Sequence, residues 1–229
     1  MIAMKSFLSL LFATTIFCLS SCAQHEPNLL DKAKQKLDDN AGNVSVVLTD
    51  PAFLGIHQET SFREMIRAHA SARPLSIAPD KEPGRKIKVK LRLTDAEGKP
   101  IANASIYLYQ TDSKGWYAAD KPHVGGNEGD SRHARLFGYV LTDDKGEMEL
   151  HTVKPSGYPQ SDLPAHIHIH FEAKGFRTYV TELLFDDDPR LIGEIRRQSE
   201  ENRFYISKPE ASTVPFEQQF SYVIQLTRN

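Results

Sequence analysis

Cysteine is nearly absent from this chain of 229 residues. Its two cysteines, Cys18 and Cys22, lie close to the N-terminus, and none follows them. The rest of the chain therefore has neither an internal disulfide nor a thiolate metal site. A metal ion bound there must be held by histidine, tyrosine, aspartate or glutamate side chains.

The chain also lacks a strong excess of charge of either sign. Its formal net charge is -2, and it contains no block of lysine and arginine residues. This composition gives no argument for binding to nucleic acid, and no nucleic-acid partner is predicted. Hydrophobic residues make up 40% and charged residues 25% of the chain, which is typical of a globular protein.

The apolar run at the N-terminus is too short to span a membrane. Residues 7–19 are apolar and follow Lys5, whereas a spanning helix needs about 20 apolar residues. This pattern is typical of a secretory signal peptide. The ending LSSC at residues 19–22 resembles the lipobox of bacterial lipoproteins. The resemblance implies a signal peptide over 1–21, a lipid on Cys22 and a membrane-anchored protein of the bacterial cell envelope, in the periplasm or at the outer membrane. Cleavage without lipidation is the alternative.

We divide the remaining chain into a tether and helical segment at 22–83 and a β-rich domain at 84–229. Hydrophobic spacing predicts a helix over 28–39 and a second helix that begins near Thr60 and ends near His69. Residues 44–48 form a short β-rich run between them. Three prolines, Pro74, Pro79 and Pro83, mark a linker.

Beyond the linker, hydrophobic residues alternate with polar ones, which is the pattern of half-buried strands. The predicted strands are 86–93, 104–109, 137–141, 147–152, 165–171, 178–185 and 220–226. One helix is predicted over 189–202, and a long loop over 118–134. Short strands separated by turns favour a mainly β fold, an antiparallel β-sandwich with a few peripheral helices.

Three histidines alternate along one predicted strand. His166, His168 and His170 are separated by Ile167 and Ile169, so they face one side, with about 6.6 Å between successive positions. Two neighbouring imidazoles can reach one metal ion, whereas the first and third lie roughly 13 Å apart. The pattern predicts two ligands from this strand for zinc, copper or iron. A solvent-facing strand without a metal is the alternative.

Several segments of the β-rich domain occur in the order and in most of the spacing of one known family. They are LTDAEGKP (93–100), ASIYLYQTDSKGWY (104–117), LTDDKG (141–146), TVKPSGYP (152–159), PAHIH (164–168), TELLF (181–185) and DP (188–189). From about residue 87 to 189 the chain thus resembles the intradiol ring-cleavage dioxygenases, the family of the catechol and protocatechuate 3,4-dioxygenases.

The resemblance implies a non-haem site in which two tyrosines and two histidines bind Fe(3+). The matching ligands are Tyr117, Tyr158, His166 and His168, and Tyr158 matches the catalytic ligand that the substrate displaces. The implied substrates are a small aromatic diol and O2. Family members often carry an N-terminal helical extension, so residues 23–80 are candidates for a tether, a lid or the dimerisation element of a homodimer.

The chain departs from the family pattern at two positions beside this site. Leu163 occupies the place of an arginine three residues before the first histidine, and Glu182 that of a glutamine. Both, together with Trp116, are predicted to lie at the substrate, and a place in the hydrophobic core is the alternative for Trp116. Glu182 argues against a carboxylated substrate by charge repulsion, and His170 has no counterpart in the family pattern. The candidates to replace the missing positive charge are Arg132, Arg135 and Arg177. His123 and His133, in the long loop, are predicted to be exposed to solvent.

The leading hypothesis is therefore a ferric intradiol dioxygenase that cleaves a catechol-type diol. A second hypothesis, favoured by the missing arginine, is an iron- or catecholate-binding β-sandwich lipoprotein without ring-cleavage activity. A third is a structural sandwich of the transthyretin type that binds no metal.

Overall fold

The computed structural model describes residues 28–118 and 133–229. The predictions for residues 1–21, Cys22, His123 and Arg132 lie outside the described residues, as does most of the loop predicted at 118–134. In the described part of the chain, none of the helices has the length and apolar character needed to cross a lipid bilayer.

The described residues form ten β-strands and several short helices. The helices that lie wholly within them are α1 (Leu29–Asp39), α2 (Ser45–Leu48), a 3-10 helix (Pro51–Ile56), α3 (Thr60–Ala68) and α4 (Gly193–Glu201). The strands are β1 (Leu75–Ser76), β2 (Lys86–Thr94), β3 (Ser105–Gln110), β4 (Leu136–Leu141), β5 (Glu147–Val153), β6 (His166–Glu172), β7 (Tyr179–Phe185), β8 (Tyr205–Ser207), β9 (Glu210–Ala211) and β10 (Gln218–Gln225).

The strands form two five-stranded sheets, with the orders β1-β5-β2-β10-β9 and β4-β3-β6-β7-β8. Most neighbouring strands are antiparallel, but β1 and β5, β2 and β10, and β7 and β8 pair in parallel. The predicted mainly β sandwich is confirmed. Its sheets are mixed rather than wholly antiparallel, because β10 returns beside β2 in the same direction.

The hydrophobic core fills the space between the two sheets. The ring of Phe185 on β7 meets that of Phe220 on β10 at 4.7 Å between centroids. The hydroxyl of Tyr222 on β10 donates a 2.9 Å hydrogen bond to the carbonyl of Leu184 on β7. These contacts join the two sheets face to face, and the second sheet carries the histidine strand β6.

The helices of the N-terminal half are close to the predicted ones. The side chain of Asn28 caps α1 by accepting a hydrogen bond from the Asp31 amide at 2.9 Å, and His69 ends α3. The β-rich run at 44–48 is a wrong prediction, because Ser45–Leu48 is helical. The Asn43 side chain accepts a hydrogen bond from the Ser45 amide, so a local turn overrides the β propensity of two valines.

The hydrophobic core is continuous across the predicted boundary at 83/84. Buried residues of α1 and α3, such as Leu37 and Phe62, belong to the same hydrophobic cluster as Ile87 and Leu91 of β2. Strand β1 lies before the boundary and pairs with β5 after it. The helices therefore cover the sandwich, and the division into 22–83 and 84–229 stays a prediction.

His57 links the helical cover to the sandwich from a fully buried position. Its Nδ1 lies 2.7 Å from the carbonyl oxygen of Arg135, and its ring stacks on Phe62 at 5.0 Å between centroids. Burial is the main cause that lowers the pKa of His57 to about 4, and the positive charges of Arg63 and Arg135 add to it. His57 is thus neutral in the folded protein at neutral pH.

This buried imidazole makes the stability of the fold dependent on pH. The unfolded chain binds a proton at His57 near pH 6.5, and the folded chain near pH 4, so stability is lost as the pH falls through this window. We expect protonation of His57 to lower the free energy of unfolding by about 3 kcal/mol across this window. His57→Leu should remove this contribution from the pH dependence of the unfolding free energy, measured in urea, whereas His69→Asn should keep it. Parallel curves for the His57→Leu variant and the wild type would contradict the assignment.

Candidate metal centre

Two loops approach each other closely enough to bring two tyrosines together. Gly115 has a φ of +85°, and a Cβ at this position would overlap the carbonyl oxygen of Gly157. The absence of a side chain therefore allows main chain to touch main chain. Tyr117 and Tyr158 follow these two glycines, and their hydroxyl oxygens lie 2.6 Å apart.

Two histidines of β6 reach the same point from the second sheet. The Nε2 atoms of His166 and His168 are 3.1 Å apart. The Tyr158 hydroxyl lies 3.1 Å from Nε2 of His166 and 3.5 Å from Nε2 of His168. The Tyr117 hydroxyl lies 2.9 Å from Nε2 of His168. The structure thus brings together the four side chains that the sequence singled out as ligands.

The surroundings of Nδ1 in each histidine determine which ring nitrogen carries the proton and which carries the lone pair. Nδ1 of His166 lies 2.8 Å from the carbonyl oxygen of Pro164, which can only accept a hydrogen bond. Nδ1 of His168 faces a carboxylate oxygen of Glu182 at 3.6 Å. Both environments favour a proton on Nδ1, so each Nε2 offers a lone pair to the tyrosine oxygens.

This arrangement has the geometry of a cation site. Ligand atoms that share one ion at about 2.0–2.1 Å lie roughly 2.9 to 3.4 Å from one another, close to the distances found here. The exposed fractions are 0% for Tyr117, 8% for Tyr158 and 5% for His166. Buried lone pairs crowded together are stabilised by a cation, and imidazole with anionic oxygen is a donor set that suits iron. The residues present therefore fit a bound ferric ion.

Tyr109 contacts the candidate ligand His168, and this contact was not predicted from the sequence. It lies opposite His168 in the β3–β6 pairing, and its ring stacks on the imidazole at 4.6 Å between centroids with 15° between the planes. The stacking fixes the plane of the His168 ring. The register between β3 and β6, which would have revealed Tyr109, depends on tertiary structure and cannot be read from a single strand.

His170 lies apart from the converging donor atoms, as its spacing along the strand predicted. Its ring packs edge-on against Tyr107 at 5.5 Å between centroids. Partial burial lowers the pKa of His170 below its ordinary value, although the negative charge of Glu172 opposes the shift. His170 therefore belongs to the aromatic cluster on this face of the sheet.

Glu182 and Leu163 take different positions around the site. Glu182 is the β7 partner of His168, so its carboxylate lies behind the imidazole, on the side away from the tyrosines. The side chain of Leu163 is 51% exposed. Trp116 is half-buried, and its backbone amide donates to Asp112; its place at a substrate stays a prediction.

The remaining candidates make their observed side-chain contacts with groups other than the four donor atoms, although the backbone amide of Arg135 donates to the carbonyl of Tyr117 at 2.8 Å. Arg135 is bound by the carboxylates of Glu82, at 2.5 Å, and Asp112, at 3.1 Å, so its charge is already paired. Arg177 is exposed, and its backbone amide bonds to Thr227 near the C-terminus. His133 is half-buried and contacts Gln58. The hypothesis that Arg135 or Arg177 replaces the missing arginine is therefore not supported by their positions.

The sequence is similar to ring-cleaving dioxygenases over most of the described chain. The model of a protein family described as Dioxygenase matches residues 61–227. Catechol 1,2-dioxygenase of Candida albicans is 29% identical over 111 residues, or 42% of this chain and 35% of that protein. The protocatechuate 3,4-dioxygenase beta chain of Burkholderia cepacia is 30% identical over 120 residues, or 47% of this chain and 48% of that protein. The aligned region thus spans about a third to a half of these relatives.

Solved structures of dioxygenases share the fold of this chain. Catechol 1,2-dioxygenase of Acinetobacter sp. ADP1, inhibited by bound mercury, aligns with a TM-score of 0.54 at 17% identity over 90% of this chain and 88% of that chain. The dioxygenase domain of a carbohydrate-binding fusion protein from Streptomyces sp. SirexAA-E aligns with a TM-score of 0.51 at 21% identity over 70% of this chain and 90% of that chain.

The contact between the two glycine-bearing loops can be tested with a matched pair of substitutions. Gly115 and Gly175 both have a φ of +85°, but a Cβ at Gly175 meets nothing within 4 Å. An alanine at either position should cost about 1 to 2 kcal/mol of stability from backbone strain. We expect Gly115→Ala alone to push the tyrosines apart and to weaken metal binding, measured by competition with a chelator. Equal metal affinities in the two variants would contradict this account.

The carboxylate behind His168 should strengthen metal binding. Removal of such a partner of a ligand histidine typically costs about 10- to 100-fold in affinity, and we expect Glu182→Gln to fall within this range. The matched control is Glu172→Gln. Glu172 is the last residue of β6, but its side chain is 58% exposed and contacts Arg67. An unchanged metal affinity in Glu182→Gln would show that the carboxylate does not act on the imidazole.

Proposed function

Since this chain belongs to the intradiol ring-cleavage dioxygenase family, we propose that it cleaves a catechol-type aromatic diol with O2 at a non-haem ferric site. The proposed ligands are Tyr117, Tyr158, His166 and His168. The observation that carries the proposal is the convergence of their donor atoms, at distances between 2.6 and 3.5 Å, on one buried point.

The charges of the proposed ligands suit a ferric ion. Two tyrosines become phenolates beside a highly charged cation, although a free phenol has a pKa of about 10. Two phenolates with two neutral imidazoles offset most of a charge of three and favour the ferric state. A bound ferric ion supplies the Lewis acidity that makes a chelated aromatic diol reactive toward O2.

The two tyrosines have different roles in this proposal. Tyr117 is fully buried and contacts Tyr109 and His168 with its ring, so it stays in place. Tyr158 retains some exposure and lies on a loop. In this proposal its phenolate oxygen would leave the four donor atoms as the diol enters and would accept the proton of one diol hydroxyl. His168 is held between Tyr109 and Glu182 and keeps its orientation throughout.

The alternative function is binding of iron or of a catecholate compound without ring cleavage. It is supported by Leu163, which stands in the family's arginine position with an exposed side chain, and by Arg135, which is engaged with Glu82 and Asp112. Leu163 and the paired Arg135 then provide no free positive charge to stabilise a negatively charged ring during the reaction. This alternative shares the four ligands with the enzyme and differs from it only in turnover.

The sequence also suggests a location at the cell envelope and a homodimeric assembly, and we include both in the proposal. The predicted signal peptide at 1–21 would direct export, and the lipid on Cys22 would then hold the protein at the cell envelope, where it would meet diols outside the cytoplasm. The family resemblance also supports a homodimer.

The visible spectrum and oxygen uptake test the proposed function. We expect the protein loaded with Fe(3+) to be purple-red from charge transfer between tyrosinate and iron, and to consume O2 in proportion to added catechol or hydroxyquinol, yielding a ring-opened dicarboxylate. Tyr117→Phe should lose much of the colour. Tyr139→Phe is the control, because Tyr139 stacks on Tyr107 in the aromatic cluster rather than at the four donor atoms.

The outcomes separate the two functions. A coloured protein that takes up no oxygen supports the binding alternative. A colourless protein, or one whose colour is the same in Tyr117→Phe, contradicts both.

A further inference from the structure

We propose that Arg190 is a positioning residue for Tyr158, which it holds in the metal centre by binding the main chain of the loop that carries this tyrosine. The proposal rests on the function proposed above and concerns a residue outside the four ligands. Arg190 follows β7 and precedes α4, far along the chain from the loop that it binds.

One guanidinium nitrogen of Arg190 bonds to the loop at two places. Its Nη1 donates to the carbonyl oxygen of Tyr158 at 3.3 Å and to that of Leu163 at 3.2 Å. Hydrogen bonds from a charged donor are roughly twice as strong as neutral ones. Because both acceptors are main-chain atoms, the bonds fix the backbone of the loop and leave the phenol of Tyr158 free to turn.

Gly157 provides the space for this clamp. A Cβ at this position would overlap both the carbonyl oxygen of Leu163 and Nη1 of Arg190. The glycine before Tyr158 therefore lets the two ends of the loop meet and lets the guanidinium lie between them.

The turn that carries Arg190 also holds the other end of the loop. Asp188 accepts the backbone amide of Ala165 at 3.0 Å with one oxygen and that of Arg190 at 2.8 Å with the other. Ala165 directly precedes the ligand His166. Residues 188–190 thus tie together the stretch between Tyr158 and His166 and restrain the main chain at both of these residues.

The bond from Arg190 to the Leu163 carbonyl matters because the side chain of Leu163 is exposed. The side chain at 163 turns to solvent and holds nothing in the site, while its carbonyl is bound by Arg190. Without Arg190, the loop would keep the Asp188 bond near His166 but lose its bond at Tyr158. The Tyr158 oxygen would then spend less time beside the imidazoles, and iron would be held less firmly.

The experiment compares Arg190→Ala and Arg190→Lys in the full chain loaded with Fe(3+). We expect Arg190→Ala to weaken iron binding by about 10- to 100-fold, as for other supports of metal ligands, and to weaken the charge-transfer band. Arg190→Lys should restore part of both, because an ammonium group can still donate to these carbonyls. The control is Arg197→Ala, whose guanidinium bonds to Glu194 and Glu201 on its own helix; it should match the wild type.

A second background separates positioning from general stability. In Tyr158→Phe the ligand that Arg190 positions is gone, so adding Arg190→Ala should change iron affinity by less than about 2-fold, the mark of coupled residues in a double-mutant cycle. An equal effect of Arg190→Ala with and without the Tyr158 hydroxyl would overturn the proposal and make Arg190 a general stabiliser.

A readout without metal keeps this test apart from that of the proposed function. In the metal-free protein, Arg190→Ala should shift the imidazole nitrogen NMR signals of His166 and His168 toward those of Tyr158→Phe, because the phenol leaves both rings. Unshifted signals would overturn the role of Arg190. Shifted signals in a protein that binds no iron would support the clamp while the ferric function fails.

Discussion

The candidate metal centre depends on a contact between two stretches of main chain. Gly115 and Gly157 meet without side chains between them, so that tyrosines 41 residues apart in the chain bring their oxygens to 2.6 Å. The sheets alone do not set this distance, because both tyrosines lie on loops. A side chain at Gly115 would separate the phenols even if every strand kept its place.

The second sheet supplies the rigid half of the site. Strand β6 is flanked by β3 and β7, so Tyr109 and Glu182 lie on either side of His168 in the strand pairing. The imidazoles are thus held by the sheet, and the phenols by loops. This division suits a site in which Tyr158 gives way to a substrate while the imidazoles stay fixed.

The sequence predicted what depends on local geometry. Alternation along one strand predicted that His166 and His168 converge and that His170 lies apart, and period-two patterns gave most strands to within about two residues. The parallel pairing of β10 with β2 and the helix at Ser45–Leu48 depend on tertiary packing, and the sequence did not reveal them. Arg190 was missed for the same reason, since its acceptors lie 32 and 27 residues away.

The departures from the family pattern alter the supports of the ligands rather than the ligands. Among these departures, Glu182 lies behind His168, where a carboxylate makes the imidazole a better donor. Arg190 is a separate feature, and its proposed role is to restrain the loop of Tyr158. The negative charge of Glu182 favours a bound cation, whereas Arg190 is itself a cation and would act only through the loop position that it holds. Leu163 supplies no positive charge in the place of the family's arginine, and the observed contacts of the Arg190 guanidinium at the site are with main-chain carbonyls. For the proposed ferric site, these contacts favour firm retention of the metal. We therefore expect the rate of ring cleavage to be the property in which the chain differs most from relatives that carry this arginine.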